Sequence, residues 1–222
     1  MALSLATPLP KGCEYLADIC EKVAPQYGIS PYTLLGVLYA ESNYGQALKP
    51  VGPKGTGDFI ARLADKDTNE RMAKAPLPGV ERKVLADGIK ARKIAGPCEA
   101  WVPTNHGWGM GLFQIDYEMH FDFCKTGGWS DPEKACHYAC KLLKSGRDFI
   151  AKKHPSLSEV ELTRAMIAAY NAGPGRVSKF LSEGKDIDGC TFHTGYIDKI
   201  AKKADLIAGA SGAFMHKNSA IV

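Results

Sequence analysis

The stretch "YAESNYGQAL" places a single carboxylate, Glu41, at the end of an apolar run, immediately before Ser42, Asn43, Tyr44 and Gly45. Read as a helix, that run sets Glu41 in its last turn. The negative end of the helix dipole disfavours a charged carboxylate there, and apolar neighbours desolvate it, so both effects are expected to raise its pKa. A carboxyl that stays protonated near neutrality can give its proton to a leaving oxygen, which is general acid catalysis. The plain alternative is an exposed helix-end glutamate in a surface ion pair. A second set with chemical potential is His120, Cys124, Cys136 and Cys140, at H-x3-C and C-x3-C spacing with His137 adjacent, which could hold one tetrahedral zinc. Zinc knuckles more often use two intervening residues, and Cys136 and Cys140 fall inside an expected helix, where packing or disulfide pairing also accounts for them. We therefore expect no metal and no cofactor.

The elements that must position these residues are mostly helical. Ser30 followed by Pro31 is an N-cap and first-turn signal, and Leu34, Leu35, Leu38 and Tyr39 continue a helix that Gly45 is expected to end. Upstream, Leu16, Ile19, Cys20 and Val23 recur at helical spacing, which predicts an amphipathic helix over 13–25. Residues 46–107 change character. "KPVGPKGTGD" reads as a loop and "ERKVLADGIKARKIAG" as a charged amphipathic helix, so this stretch is read as an insertion. "GWGMGLFQID" suits a tight turn or small hairpin. Asp131 with Pro132 starts a helix to about Lys153, and Ser158 with Glu161 forms a capping box for another through Ala169. A short helix over Gly175–Leu181, a last one from about Thr194 to Ile207, and a loose tail from about 209 complete the chain. The expected fold is mainly α with at most a small hairpin or sheet, in one domain spanning 1–222.

Composition narrows the partners. With 222 residues, 45% of them apolar, the chain can bury a full core. A net charge of +4 is spread along the chain and suits an anionic polymer surface. Neither a Walker loop, nor a Rossmann glycine fingerprint, nor aromatics interleaved with arginines occur, which argues against nucleotide chemistry and nucleic-acid partners. No apolar run reaches the ~18 residues a membrane-spanning helix needs. "MALSLATPLPKG" lacks the basic n-region of a secretory signal. Seven cysteines (Cys13, Cys20, Cys98, Cys124, Cys136, Cys140 and Cys190) hint at an oxidising destination, although an odd number leaves one thiol over.

Four blocks occur in order: "ESNYG", "GMGLFQID" with His120 close behind, "AAYNAGPG" and "TGYIDKI". This series resembles the goose-type lysozymes and the related soluble lytic transglycosylases, over roughly residues 28–45 and 105–207, with the insertion unmatched. The resemblance implies a lysozyme-like α+β fold and cleavage of the β-1,4 bond between N-acetylmuramic acid and N-acetylglucosamine in bacterial peptidoglycan. It makes Glu41 the catalytic acid, with Ser42 fixing its position. Gln114 would hydrogen-bond substrate, and Asp116 falls where goose-type enzymes hold the attacking water and many transglycosylases lack a carboxylate. Asn105 stands where the goose-type pattern has another aspartate; an amide can orient water but cannot take its proton, so hydrolysis would rest more heavily on Asp116. His120, Tyr170, Asn171 and Tyr196 match residues that line the family's cleft. Each has a local alternative: a loop-stabilising amide for Gln114, a turn cap for Asp116, a turn residue for Asn105, and core packing for Tyr170 and Tyr196. A transglycosylase forming 1,6-anhydro ends, a chitinase on the same fold, and a glycan-binding module without turnover are the competing readings. The expected partner is the glycan strand of peptidoglycan, with chitin oligomers as the alternative, met by a monomer that is secreted or periplasmic and acts at the cell wall.

Overall fold

A computed structural model describes residues 3–48, 51–55, 109–116, 119–192 and 195–209. The expected helix within the insertion, Asn105, Cys98 and the C-terminal tail from 210 lie outside these residues. The described chain is mainly helical, with one two-stranded antiparallel sheet. It groups into two compact units, one formed by the chain up to Ala40 and from Cys136 onward, the other by Glu41–Ala135.

The first unit is helical throughout. Helix α1 (Tyr15–Val23) buries Leu16, Ala17, Cys20 and Val23. The predicted helix over 13–25 closes earlier because Pro25 tightens the chain into a 3₁₀ turn, Ala24–Tyr27, that Gly28 ends at φ 69°. Helix α2 (Pro31–Ser42) has Leu34, Leu35, Val37 and Leu38 at 0–1% exposure. A helix apolar on all sides is a central one. Its C-terminal boundary is Ser42 rather than Gly45, because Asn43 (φ 48°) and Tyr44 (φ 58°) already leave helical geometry.

Helix α4 (Pro132–Lys153) begins as its sequence predicts: the Asp131 carboxylate accepts the N–H groups of Glu133 and Lys134, each at 3.1 Å. Its inner face is Cys136, Ala139, Cys140, Leu143 and Ile150, all buried. Tyr27 Oη and His137 Nδ1 lie 3.1 Å apart, joining the 3₁₀ turn to this helix. Helix α5 (Glu159–Ala172) carries the expected capping box between Ser158 and Glu161 and runs three residues past Ala169, to the break at Gly173. Helix α6 (Pro174–Ser182) follows at once. Helix α7 (Tyr196–Ala208) buries Ile197, Ile200, Ala201, Ala204 and Ile207 at i, i+3, i+4 spacing and packs on α5.

The second unit holds the hairpin. Strands β1 (Gly109–Met110) and β2 (Ile115–Asp116) pair antiparallel, Gly109 with Asp116 and Met110 with Ile115. Gly111 at φ 72° allows the turn between them and also its packing: a Cβ there would stand 2.7 Å from the Trp129 carbonyl oxygen. Trp129 is buried at 1% exposure. A short helix α3 (Phe121–Lys125), which no sequence signal announced, follows the hairpin.

Gly36 marks the closest approach within the first unit, since a Cβ there would lie 2.8 Å from the backbone oxygen of Ile200 on α7. Gly36→Ala gains about 1 kcal/mol of helix propensity but forces two backbones apart at a cost of about 1–3 kcal/mol. We expect a net loss, read by calorimetry as a fall of a few degrees in Tm. A rise in Tm would mean that α2 and α7 do not meet this closely.

Candidate functional site

Glu41 lies in the last turn of α2, part-exposed, and the residue after it is the anchor of the region. Ser42 is 1% exposed; its hydroxyl donates to the Leu112 carbonyl at 2.7 Å and accepts the N–H of Gly45 at 3.0 Å. One side chain thus ties the end of α2 to its own reversing turn and to the hairpin turn 70 residues onward. The fit is close, as a Cβ on Gly45 would stand 2.9 Å from Leu112 Cδ2.

Gln114 ends the hairpin turn in left-handed conformation, φ 46°. Its Nε2 donates to the Gly111 carbonyl at 2.7 Å, and its side chain covers Gly109, where a Cβ would meet Gln114 Oε1 at 2.7 Å. One N–H of the Gln114 amide therefore serves its own turn.

Asp116 closes β2. Its Oδ1 accepts the N–H of Met119 at 2.8 Å, and its backbone carbonyl accepts the N–H of His120 at 3.0 Å. His120 precedes α3 and is part-buried; burial lowers its pKa below the ordinary 6.5, and the nearby Asp116 charge opposes that shift. The same charge reaches Cys124, whose thiol is pushed up to about 12 by burial first and by Asp116 second. Asp116, His120 and Cys124 thus form one electrostatic group.

In the first unit, Tyr170 and Asn171 occupy the last turn of α5 and are part-exposed. Asn171 Oδ1 accepts the N–H of Phe192 at 2.8 Å, which commits half of its amide to holding a loop. Tyr196 is the first residue of α7 and is 5% exposed. The residue that sets its position is one that sequence reasoning missed. Asp188, 9% exposed, accepts the N–H groups of Gly195 and of Ile197, on either side of Tyr196. "DIDGC" offered only an ordinary turn signal, and nothing in it points forward to α7.

Among the described residues no two cysteines are joined by a disulfide. Cys13, Cys20, Cys124, Cys136, Cys140 and Cys190 are buried and form no disulfide. Cys136 and Cys140 face each other one turn apart in α4, and the hydrogen bond between them, with burial, pushes the Cys140 thiol well up. Among the described residues, no three or more His, Cys, Asp or Glu side chains gather as a metal site.

No protein-family model matches the chain. It is 29% identical over 150 residues to lysozyme g of Struthio camelus, covering 64% of this chain and 70% of that protein. It is 30% identical over 127 residues to lysozyme g of Casuarius casuarius and to lysozyme G of Dromaius novaehollandiae, covering 56% of this chain in both cases. These matches span 63% and 57% of the two relatives, so the chain covers less than two thirds of either.

Two outcomes test this geometry. Ser42→Ala strands the buried Leu112 carbonyl, while the Gly45 N–H keeps the backbone carbonyl of residue 42 at 3.0 Å, and should cost about 1–3 kcal/mol in urea unfolding; a stability equal to wild type would remove Ser42 as the anchor. The His120 ring should titrate below 6.5 by NMR, and lower still in Asp116→Asn, because removing the negative charge leaves burial unopposed. An unchanged or higher midpoint would place Asp116 away from the ring. Since the folded pKa lies below the unfolded one, the unfolded chain takes the proton first. This group's share of stability is complete above about 6.5 and is lost as pH falls from there toward the folded value.

Proposed function

We propose that this chain, goose-type lysozyme-like in sequence and mainly helical in fold, is a glycosidase of peptidoglycan that cuts the β-1,4 bond between N-acetylmuramic acid and N-acetylglucosamine. The similarity to three lysozymes g supports a lysozyme-like glycoside hydrolase in general terms. The observation that carries the finer reading is the Ser42 anchor, which holds the backbone beside Glu41 against the hairpin that bears Asp116, all within one compact unit. A general acid and a water-positioning carboxylate must be held in fixed relation, and rigid backbone on both sides supplies that.

In this mechanism Glu41, protonated before reaction, donates to the glycosidic oxygen as the bond to the anomeric carbon breaks. Charge develops on the sugar ring as an oxocarbenium-like state, and a water attacks the anomeric carbon. Asp116 keeps Oδ1 on the Met119 N–H, which orients the carboxylate, and presents Oδ2 to the water, taking up its proton as the new C–O bond forms and passing it on to solvent. Glu41 is left as carboxylate and is reprotonated from solvent. Gln114, His120, Tyr170, Asn171 and Tyr196 are assigned to contacts with the sugar chain, as is Asn105. The substrate places the reaction outside the cytoplasm, at the bacterial wall, and the monomer suffices for it.

A second reading draws on one specific observation. Half of the Asp116 carboxylate is bound into its turn, and the position of a further aspartate in goose-type enzymes carries Asn105, so activation of water is lean. Attack by the substrate's own C6 hydroxyl would then give 1,6-anhydro ends.

Mass spectrometry of fragments released from purified peptidoglycan separates these. We expect reducing ends from the wild-type protein and a loss of about 10²–10⁴-fold in release by Glu41→Gln. Anhydro ends, one water lighter, would make it a transglycosylase. Unchanged release by Glu41→Gln would remove the glutamate from the reaction.

A further inference from the structure

Phe192, in the first unit, is 75% exposed although the chain around it is held. Its N–H donates to Asn171 Oδ1 at 2.8 Å, in the last turn of α5. Just before it, the buried Thr191 donates both its hydroxyl and its N–H to the Asp188 carbonyl, at 2.7 and 3.2 Å. Beyond it, the Asp188 carboxylate accepts the N–H groups of Gly195 and Ile197. Asp188 thus secures the chain before and after residue 192, and an apolar ring is displayed to water from a loop with fixed ends.

A single exposed apolar side chain is ordinary on a protein surface. The setting of Phe192 is not. The residue that pins its backbone is Asn171, whose amide oxygen is taken by that bond, so the NH2 donors are what the amide has left to offer a ligand. An aromatic face and an amide donor rooted side by side match the two kinds of surface on a sugar. In β-1,4-linked N-acetylglucosamine the ring substituents are equatorial, so each face presents axial C–H bonds and the rim presents hydroxyl and acetamido oxygens. Polarised C–H groups are drawn to the negative face of an aromatic ring. An aliphatic ligand would leave the amide donors unused, and one ring is too small an apolar patch to hold a protein partner.

We propose that Phe192 is a sugar-stacking residue. Its ring lies against the C–H face of one N-acetylhexosamine of the glycan strand, and the Asn171 NH2 donates to an oxygen of that sugar. The inference rests on the glycan substrate proposed above and adds a residue outside the four ordered sequence blocks. Stacking holds the strand equally before and during bond cleavage, so Phe192 sets affinity and leaves the chemical step alone.

The full-length protein and its Phe192→Ala, Phe192→Leu and Phe192→Trp variants are titrated with chitotriose by calorimetry. The ring is exposed, so all three variants should unfold at the wild-type Tm. Affinity is expected to fall about tenfold in Phe192→Ala, to stay low in Phe192→Leu, which supplies apolar area without an aromatic face, and to be kept in Phe192→Trp. Wild-type affinity in Phe192→Ala or Phe192→Leu, or a loss in Phe192→Trp as large as in Phe192→Ala, would overturn the assignment. So would absence of binding to the wild-type protein under a large excess of chitotriose. The cleavage reading fails separately: binding that depends on Phe192 without release of fragments from peptidoglycan keeps the stacking residue, whereas release with unchanged binding in Phe192→Ala keeps cleavage alone.

Discussion

The buried hydroxyl of Ser42 is the constraint on which the candidate site depends, because it satisfies two backbone groups that belong to distant stretches of chain. Ser42 is 1% exposed, so water cannot readily replace either hydrogen bond. The bond to Leu112 closes a long loop, whose closure entropy must be offset by what the closed geometry gains. Part of that gain is specific shape. Asn43 and Tyr44 adopt left-handed backbone conformations that non-glycine residues seldom take, and such strain persists only where surrounding contacts over-determine it. Here the Ser42 bonds and the tight fit of Gly45 on Leu112 supply those contacts. Glu41 inherits a fixed backbone from its neighbour.

Two aspartates differ in how the fold uses their carboxylates. Asp188 is 9% exposed and gives both oxygens to backbone N–H groups at the start of α7. It is a device for placing Tyr196. Asp116 gives one oxygen to the turn at Met119 and lends its charge to His120 and Cys124. A carboxylate saturated by the backbone is a poor participant in proton transfer, whereas one anchored at a single oxygen is oriented and still open at the other. The contrast agrees with the role proposed for Asp116.

The thiols act as packing groups. Cys20 on α1 and Cys136 and Cys140 on α4 occupy inward positions that a small apolar side chain would fill; burial raises the Cys124 thiol, and the hydrogen bond with Cys136 followed by burial raises that of Cys140, so both stay protonated at neutral pH. A protonated, buried thiol is inert as nucleophile. Cysteine number alone suggested an oxidising destination; cysteine position in the fold explains six of the seven without it.

What the sequence by itself determined was local. Asp131 with Pro132 announced α4, the Ser158–Glu161 box announced α5, and the glycines of "GWGMGLFQID" announced a hairpin, because caps and tight turns are written within a few residues. The ordered blocks around Glu41, Asp116 and Tyr170 were also legible as a series, and the similarity to lysozymes g agrees with them. The 3₁₀ turn after α1, the helix α3 and the early end of α2 were not, since each depends on competing weak preferences that packing decides. Only the tertiary structure decided where polar side chains spend their hydrogen bonds: Ser42 on Leu112, Asn171 on Phe192, Asp188 on Gly195 and Ile197. These partners lie between 7 and 70 residues apart, and no period of 2 or 3.6 carries information over that distance. The burial that makes such bonds necessary exists only once the chain has closed on itself.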